Sequence, residues 1–585
     1  MAKKGGSSKN NSLLWVAGFV ACAIILGSII FGPGILFGNA GQQASYPIDS
    51  AVFTTLDRTI VPVSVPSASP KLSPDDIRNF SKYGYGAWQY GSGLAYEKRL
   101  DLMPAAYANS SANSAVKAAS LLRFFTITDI HITDKESPAQ TVFFGIKAGI
   151  ISSYSPAMLY TTQTLDAAVQ TINALHKKKP FDFGISLGDA INSDQYDELR
   201  WYIDVLDGKN VTPDSGAKDD PVPGPLNDYQ DEYEAAGFDK SISWYQTLGN
   251  HDHYWMGILP QDDYIKAAMV GDKMLNIGNV LSDPLGVKSR GYYMGAVDGR
   301  TPYGNIIGAG PVKSFSEQPT VPAADPARHV VPREQWISQF FNTTSSPVGH
   351  GFNKTNAETG FACYSFEPKS DVPIKVIVLD DTDVNDGPAA NGYGRGMLDK
   401  QRYDWLVSEL DKGQADGQLM IITAHIPIGI DWGNGPLSSM ASWSANAYVT
   451  EEALIAKLHT YPNLILWAAG HRHQNTVTAL KSPDPARPEL GFWEVETSSL
   501  REFPQQFRTF DVVRNSDNTV SIFATDVDSA VKEGSLAATA RTYAIAAHEV
   551  FKLQMQNLSY NAELVKQLSP EMQARISNIG TPVKN

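Results

Sequence analysis

Apolar positions along this chain recur with two periods, and the alternation of those periods predicts an α/β fold. Residues 121–128, Leu-Leu-Arg-Phe-Phe-Thr-Ile-Thr, form a short, nearly continuous apolar run that reads as a buried strand. Residues 161–175 switch to helical spacing. Leu165, Ala168, Val169, Ile172 and Leu175 share one face, and Lys177, Lys178 and Lys179 follow where the helix dipole favours cations. A second buried strand follows at 181–187. Strand, helix and strand in that order imply a right-handed crossover and a partly parallel sheet. A helix at 198–206, an exposed Pro-, Gly- and Asp-rich loop at 207–237 and a third strand at 242–248 come next.

The alternation stops after Asp252. Residues 253–371 carry many Gly, Pro and aromatic residues with little period. A structureless loop of that length is rare inside a compact domain, so the segment reads as an inserted cap with short elements of its own, including a helix at 333–341. The core pattern resumes with strand 374–379, helix 399–410, strand 419–423, helix 451–458 and strand 464–468. Residues 492–497 and 519–525 read as closing antiparallel strands. The expected organisation is a core at 121–530 containing the insert, preceded by an extension at 38–120 and followed by a helical tail within 531–585, its helix at 538–568.

Ahead of the extension, residues 13–37 contain no charge, and the polar stretch 1–12 carries Lys3, Lys4 and Lys9. A cleaved signal peptide has an apolar region of roughly 7–15 residues. This run is longer and fits the ~20 residues of a membrane span. Lysines before it, and no Lys or Arg after it until Arg58, place residues 1–12 in the cytoplasm and the remainder outside. The expectation is an N-terminal transmembrane helix anchoring an extracytoplasmic domain, periplasmic or at the cell surface. Secretion after signal cleavage is the alternative.

Composition narrows the chemistry. A net charge of −14 without a basic block argues against a dedicated nucleic-acid surface. The only two cysteines are Cys22, inside the apolar run, and Cys363, so neither a disulfide framework nor a Cys-based zinc site is available. Any metal must be held by His, Asp, Glu or Asn.

Residues of that kind cluster directly after predicted strands: Asp129-Ile-His131, Gly188-Asp189, Gly249-Asn-His-Asp252, His425 and Gly470-His-Arg-His473. In open α/β sheets, sites form beyond the carboxyl ends of strands, so five such loops can converge although they span residues 129 to 473. The i, i+2 spacing of Asp129/His131 and His471/His473 points both side chains of each pair to one face if the backbone is extended. Gly188, Gly249 and Gly470 allow a tight turn before each ligand. An O- and N-donor set suits Zn, Mn or Fe. His176, His329, His350, His459 and His548 lack such context and read as surface or structural groups. Asp134 and Glu136 read as supporting or surface carboxylates, and His253 has no assigned role.

The ordered set resembles the calcineurin-like metallophosphoesterase superfamily over residues 121 to about 525. That resemblance implies a four-layer α/β/β/α sandwich and two metal ions, divalent or trivalent. One would be held by Asp129, His131 and His473 and the other by Asn250, His425 and His471, with Asp189 bridging. It implies hydrolysis of a small phosphoester by in-line attack of a metal-bridging hydroxide, with a phosphodiester or nucleotide favoured and a phosphomonoester as the alternative. His251 would serve the leaving oxygen, and Asp252 would orient or charge His251. Asn192 occupies the position where purple acid phosphatases carry a tyrosine, which disfavours a ferric–tyrosinate centre. A non-catalytic metal-binding or scaffold protein is the competing reading, disfavoured because every metal position is filled.

Overall fold

Two large mixed sheets collect the apolar runs. The computed structural model describes residues 48, 52–107, 116–224, 227–278, 289–384, 394–433, 441–553 and 559–583. The charge-free run at 13–37, with Cys22, lies outside them. Among the described residues no helix is long and apolar enough to cross a membrane.

In chain order the strands of the two sheets are β1 (Glu97–Leu102), β2 (Lys117–Ile127), β3 (Phe183–Ser186), β4 (Trp244–Gln246), β5 (Tyr364–Phe366), β6 (Ile374–Val378), β7 (Leu419–Thr423), β8 (Leu464–Ala469), β9 (Thr476–Leu480), β10 (Phe492–Glu496), β11 (Gln506–Asn515), β12 (Val520–Asp528) and β13 (Ala562–Lys566). The larger sheet runs β1-β13-β12-β11-β2-β3-β4, with Thr581–Pro582 pairing beside β2, and the smaller runs β5-β6-β7-β8-β10-β9. Strands β2, β3 and β4 are mutually parallel, as are β6, β7, β8 and β10. Each parallel set therefore presents its carboxyl ends together, which is where the candidate ligands lie.

The period-2 pattern explains how the smaller sheet is covered. In β7, Leu419 and Ile421 join the main core shared with the larger sheet, whereas Met420 and Ile422 join a second cluster. That second cluster also holds Leu406 and Leu410 of helix Lys400–Ala415 and Leu454 and Leu458 of helix Glu451–Leu458. Helix Thr161–Lys178 supplies Leu165, Ala168, Val169 and Ile172 to the main core. Across β3, β2 and β11 the rings of Phe183, Phe124 and Phe510 stack at 4.9 and 4.7 Å, a cross-strand ladder that fixes strand register.

Several expectations change. Residues 492–497 do not simply close the sheet antiparallel: β10 runs parallel to β8, with Leu466 opposite Trp493, and antiparallel to β9. The tail is not one helix over 538–568. Helix Leu536–Phe551 ends at Lys552 in the left-handed region, and β13 then inserts between β12 and β1. Five residues of strand following an Ala-rich helix give too short a period-2 signal to read locally, and pairing with β12 on one side and β1 on the other decides their conformation. The 253–371 segment has its own three-stranded antiparallel sheet (Asn276–Ile277, Tyr292–Asp298, Asn305–Pro311) and helices Asp263–Val270, Arg333–Gln339 and Lys354–Thr359. Its last strand, β5, belongs instead to the edge of the smaller sheet.

Candidate metal centre

The loops that leave β2, β3, β4, β7 and β8 meet at one place and are stitched together by backbone hydrogen bonds. Asp129 N donates to Gly188 O (3.1 Å), His131 N to Asp189 O (3.0 Å) and Gly470 N to His425 O (3.0 Å). His471 N donates to Asp129 Oδ2 (2.9 Å), joining the two sheets across the site.

All seven proposed ligands fall within this junction. His473 Nε2 lies 3.3 Å from Asp129 Oδ1 and 3.2 Å from His131 Nε2. His425 Nε2 lies 3.2 Å from Asp189 Oδ2, 3.0 Å from Asn250 Oδ1 and 3.2 Å from His471 Nδ1. Asp189 Oδ2 stands between the groups, also 3.8 Å from His131 Nε2. Asp129/His131/His473 and Asp189/His425/His471 each gather their donor atoms within 4.8 Å.

Expected extended backbone is not what points these side chains inward. Asp129, His131, Asp189, His471 and His473 have φ of 49°, 48°, 51°, 74° and 59°. Left-handed conformation in non-glycine residues costs of order 1–3 kcal/mol each, and such strain persists where the surroundings over-determine it. The glycines also act differently from the tight-turn expectation. Gly188 alone of the three has positive φ. At Gly249 a Cβ would collide with the amide nitrogen of Asp189, and at Gly470 with the Thr128 hydroxyl, so their value is close approach of loops.

The outer partners of the imidazoles set which nitrogen faces inward. His425 Nδ1 bonds Leu187 O (2.9 Å), His471 Nε2 bonds Ala441 O (3.1 Å) and His473 Nδ1 faces Glu502 Oε2 (3.0 Å). Each leaves the other nitrogen free to coordinate, the usual way a metal-ligating histidine is oriented. Asn250 Nδ2 donates to Gly257 O (3.0 Å), turning Oδ1 inward. Two further observations fit cations here. The Nε2 atoms of His131 and His473 face each other, and Asp129 Oδ1 is buried without a hydrogen-bond partner.

Burial disfavours charge at every one of these groups, and the neighbours decide which yields. Against burial, Asp189 and Asp129 hold the His425 imidazole up at about 10, and Glu502 and Asp129 hold His473 well above its usual value. Burial, reinforced by His425, pushes His471 down to about 3. Burial and the adjacent His251 push His131 well below its usual value. A cation entering the centre is therefore expected to compete with protons on His425 and His473. Apparent metal affinity is expected to rise with pH between 6 and 8, about tenfold per unit for each proton displaced. Metal titrations at several pH values in weakly buffered indicator solution would show it; equal affinity at pH 6 and 8 without proton release would contradict it.

His251 sits beside this set, with a ring nitrogen within 4.8 Å of donor atoms of His131 and Asp189. Its Nδ1 bonds Asn192 O (2.7 Å), its amide donates to Asp189 Oδ1 (2.8 Å), and its Nε2 is 4.0 Å from Asp189 Oδ2. Its ring meets His131 edge-on at 4.5 Å. Asp252, expected to orient His251, faces elsewhere. Its Oδ1 accepts from Ala190 N and Ile191 N and its Oδ2 from Gly249 N, at 3.0, 3.3 and 2.8 Å. It braces the Asp189 loop against the Asn250 loop, and the partner that orients His251 is the Asn192 carbonyl. His253 is buried against Thr382 Oγ1 (2.9 Å), and Asp134 pairs with Arg328 (2.8 Å), linking the core to the 253–371 segment. His350 stacks on Trp244 at 3.5 Å, a structural role.

A sixth loop, after β10, escaped the sequence reading. Ser499 Oγ donates to Asp129 O (2.7 Å), Glu502 faces His473, and Arg501 donates through Nη1 to Asn192 Oδ1 (2.6 Å). Arg501 is buried, with Nε and Nη2 unpartnered. The same strand-end rule, applied to the strand predicted at 492–497, would have pointed to these residues.

No family model matches the chain, and no curated protein matches it. Among solved structures it is similar to a dimetal phosphatase from Danio rerio, at 12% identity over 70% of this chain and 97% of that one, with a TM-score of 0.34. It is also similar to GAP50, the anchor in the inner membrane complex of Plasmodium, at 11% identity over 73% and 95%, with a TM-score of 0.25. Likeness at this level fixes no chemistry, which has to be read from the side chains of this centre.

Proposed function

We propose that this chain is a dinuclear-metal-dependent hydrolase of phosphoesters built on a metallophosphoesterase-type α/β/β/α sandwich. One observation carries the reading: two groups of buried and half-buried O and N donors meet at Asp189, with His251 held beside them. Asp129, His131 and His473 would hold one ion and Asn250, His425 and His471 the other, with Asp189 between. Two ions there would supply activation of water and neutralisation of phosphoryl charge, which is the chemistry such pairs perform.

The chain's own groups divide the remaining work. His251 is fixed by Asn192 O through Nδ1, so only Nε2 is available to a leaving oxygen. Burial keeps its imidazole below the usual value, and the Arg501 cation works in the same direction. An anionic substrate beside it would favour the protonated form that a general acid needs. Glu502 and Asp252 hold the metal-binding loops in place.

The substrate we favour is a phosphodiester or nucleotide, with a phosphomonoester as the second reading. Two aromatic residues at the start of the 253–371 segment do not bear on this choice. Trp255 is buried, with Nε1 bonded to Ala139 O, and Tyr254 is buried, bonded to Asp383 O. The anchor read at residues 13–37 would hold the enzyme on the outer side of a membrane. The test is to purify the full chain in detergent, quantify bound metal, and assay a panel of mono-, di- and nucleotide esters. Turnover that disappears with chelation and returns with Zn, Mn or Fe is expected. Absence of both metal and turnover would favour the scaffold reading.

A further inference from the structure

The loop between helix Tyr196–Asp207 and β4 holds a second group of carboxylates that shares no residue with the metal centre. Asp220, Asp228 and Asp231 bring oxygens within 4.8 Å of one another. Asp228 and Asp231 are each only 1% exposed. Asp228 Oδ1 accepts from Gln230 N (3.0 Å), and Asp231 Oδ2 accepts from Asp228 N (2.9 Å). The other oxygens, Asp228 Oδ2 and Asp231 Oδ1, are buried with no partner at all.

A neighbouring triad sets the contrast. Glu136, Asp214 and Asp219 are also close together; donors reach Glu136 and Asp214, while both oxygens of Asp219 are buried without a partner. Gln230 Nε2 donates to Glu136 Oε2 (3.0 Å) and Asp214 Oδ1 (3.1 Å), and Ser215 N donates to Glu136 Oε2 (3.3 Å). The charge of Lys135 acts on Glu136 and Asp214 and reaches Asp228 as well. No ion pair to Asp220, Asp228 or Asp231 is found among the described residues.

An unpaired buried carboxylate costs several kcal/mol, and three together repel one another. Such a group either takes up protons or binds a cation. Without a cation, burial pushes Asp228 up to about 6 and Asp231 up to about 7, with Asp220 adding to both.

We propose that Asp220, Asp228 and Asp231 form a binding site for a hard divalent cation of the calcium type. The donors are all oxygen and two of the three carboxylates are buried, and calcium accepts six to eight oxygens in irregular geometry, whereas magnesium keeps its waters. The site lies where the loop meets the 253–371 segment. Tyr229, between Asp228 and Gln230, donates to Asp298 O (3.1 Å) and Thr301 O (2.7 Å), and Arg328 donates to Ser215 Oγ (2.8 Å). A bound cation would therefore clamp that segment to the core.

The test follows the thermal unfolding of the full chain, zinc-loaded, with and without calcium, and the terbium luminescence that calcium displaces. Calcium should raise the unfolding temperature of the wild type by several degrees, through preferential binding to the folded state. It should do the same in Asp189→Asn, which separates this site from the dinuclear centre and from the proposed activity. The double variant Asp228→Asn/Asp231→Asn should unfold no earlier than the wild type without calcium, because it loses the repulsion, and should not respond to calcium. Asp220→Asn, at a partly exposed position, should weaken calcium binding at least tenfold and serves if the double variant does not fold. No calcium shift in the wild type, a shift lost in Asp189→Asn, or an equal shift in the Asp220, Asp228 and Asp231 variants would overturn the proposal.

Discussion

Asp189→Asn should abolish hydrolysis and lower the occupancy of both metals at once. Its Oδ2 lies 3.2 Å from His425 Nε2 and 3.8 Å from His131 Nε2, one histidine from each set. Its other oxygen accepts from the His251 amide. Against the pull of burial, His425, His251 and His131 hold its carboxyl well below the ordinary range, so it is an anion whenever the protein is folded near neutral pH. An amide keeps the shape and removes the charge that two cations would share. Metal analysis and turnover on the same preparation check this. A variant with two metals and wild-type turnover would remove Asp189 from the centre.

His251→Asn should leave both metals bound and reduce turnover by about 10²–10⁴, the range for losing a general acid. The factor corresponds to roughly 3–5 kcal/mol of barrier. Leaving-group chemistry separates this from a general disturbance. An aryl ester, whose leaving oxygen needs little protonation, should lose least, and an alkyl ester or nucleoside should lose most. Equal losses across leaving groups would show that His251 positions the site without transferring a proton. Unchanged turnover would end its proposed role.

The difference between Asp252 and Asn192 shows how far adjacency in sequence can mislead. Asp252 follows His251 directly, yet its carboxylate binds two backbone amides of the Asp189 loop and the Gly249 amide of its own. The group that orients His251 comes from residue 192, in the loop after another strand. Glu502 lies 29 residues after His473, yet it faces that ring at 3.0 Å. Carboxylates and carbonyls of this kind carry no signal of their own in one sequence, because nearly every loop contains them.

Local pattern by itself determined the α/β alternation, the parallel core strands and the five loops that carry the candidate ligands. These rest on near-neighbour physics: strand and helix periods follow burial of every second or every third to fourth residue, and His and Asp immediately beyond a strand are visible as such. Only the tertiary structure decided the rest. It placed β13 and β1 side by side at one edge of the larger sheet from opposite ends of the described chain, and made β10 parallel to β8. Left-handed backbone at five of the candidate ligands, not extended strand, points them inward. It also brought Arg501 and Glu502 to the centre and left Asp228 and Asp231 buried with unpaired oxygens. Each of these depends on contacts between residues far apart in the chain, where the energy of pairing and burial outweighs local preference and leaves no periodic trace.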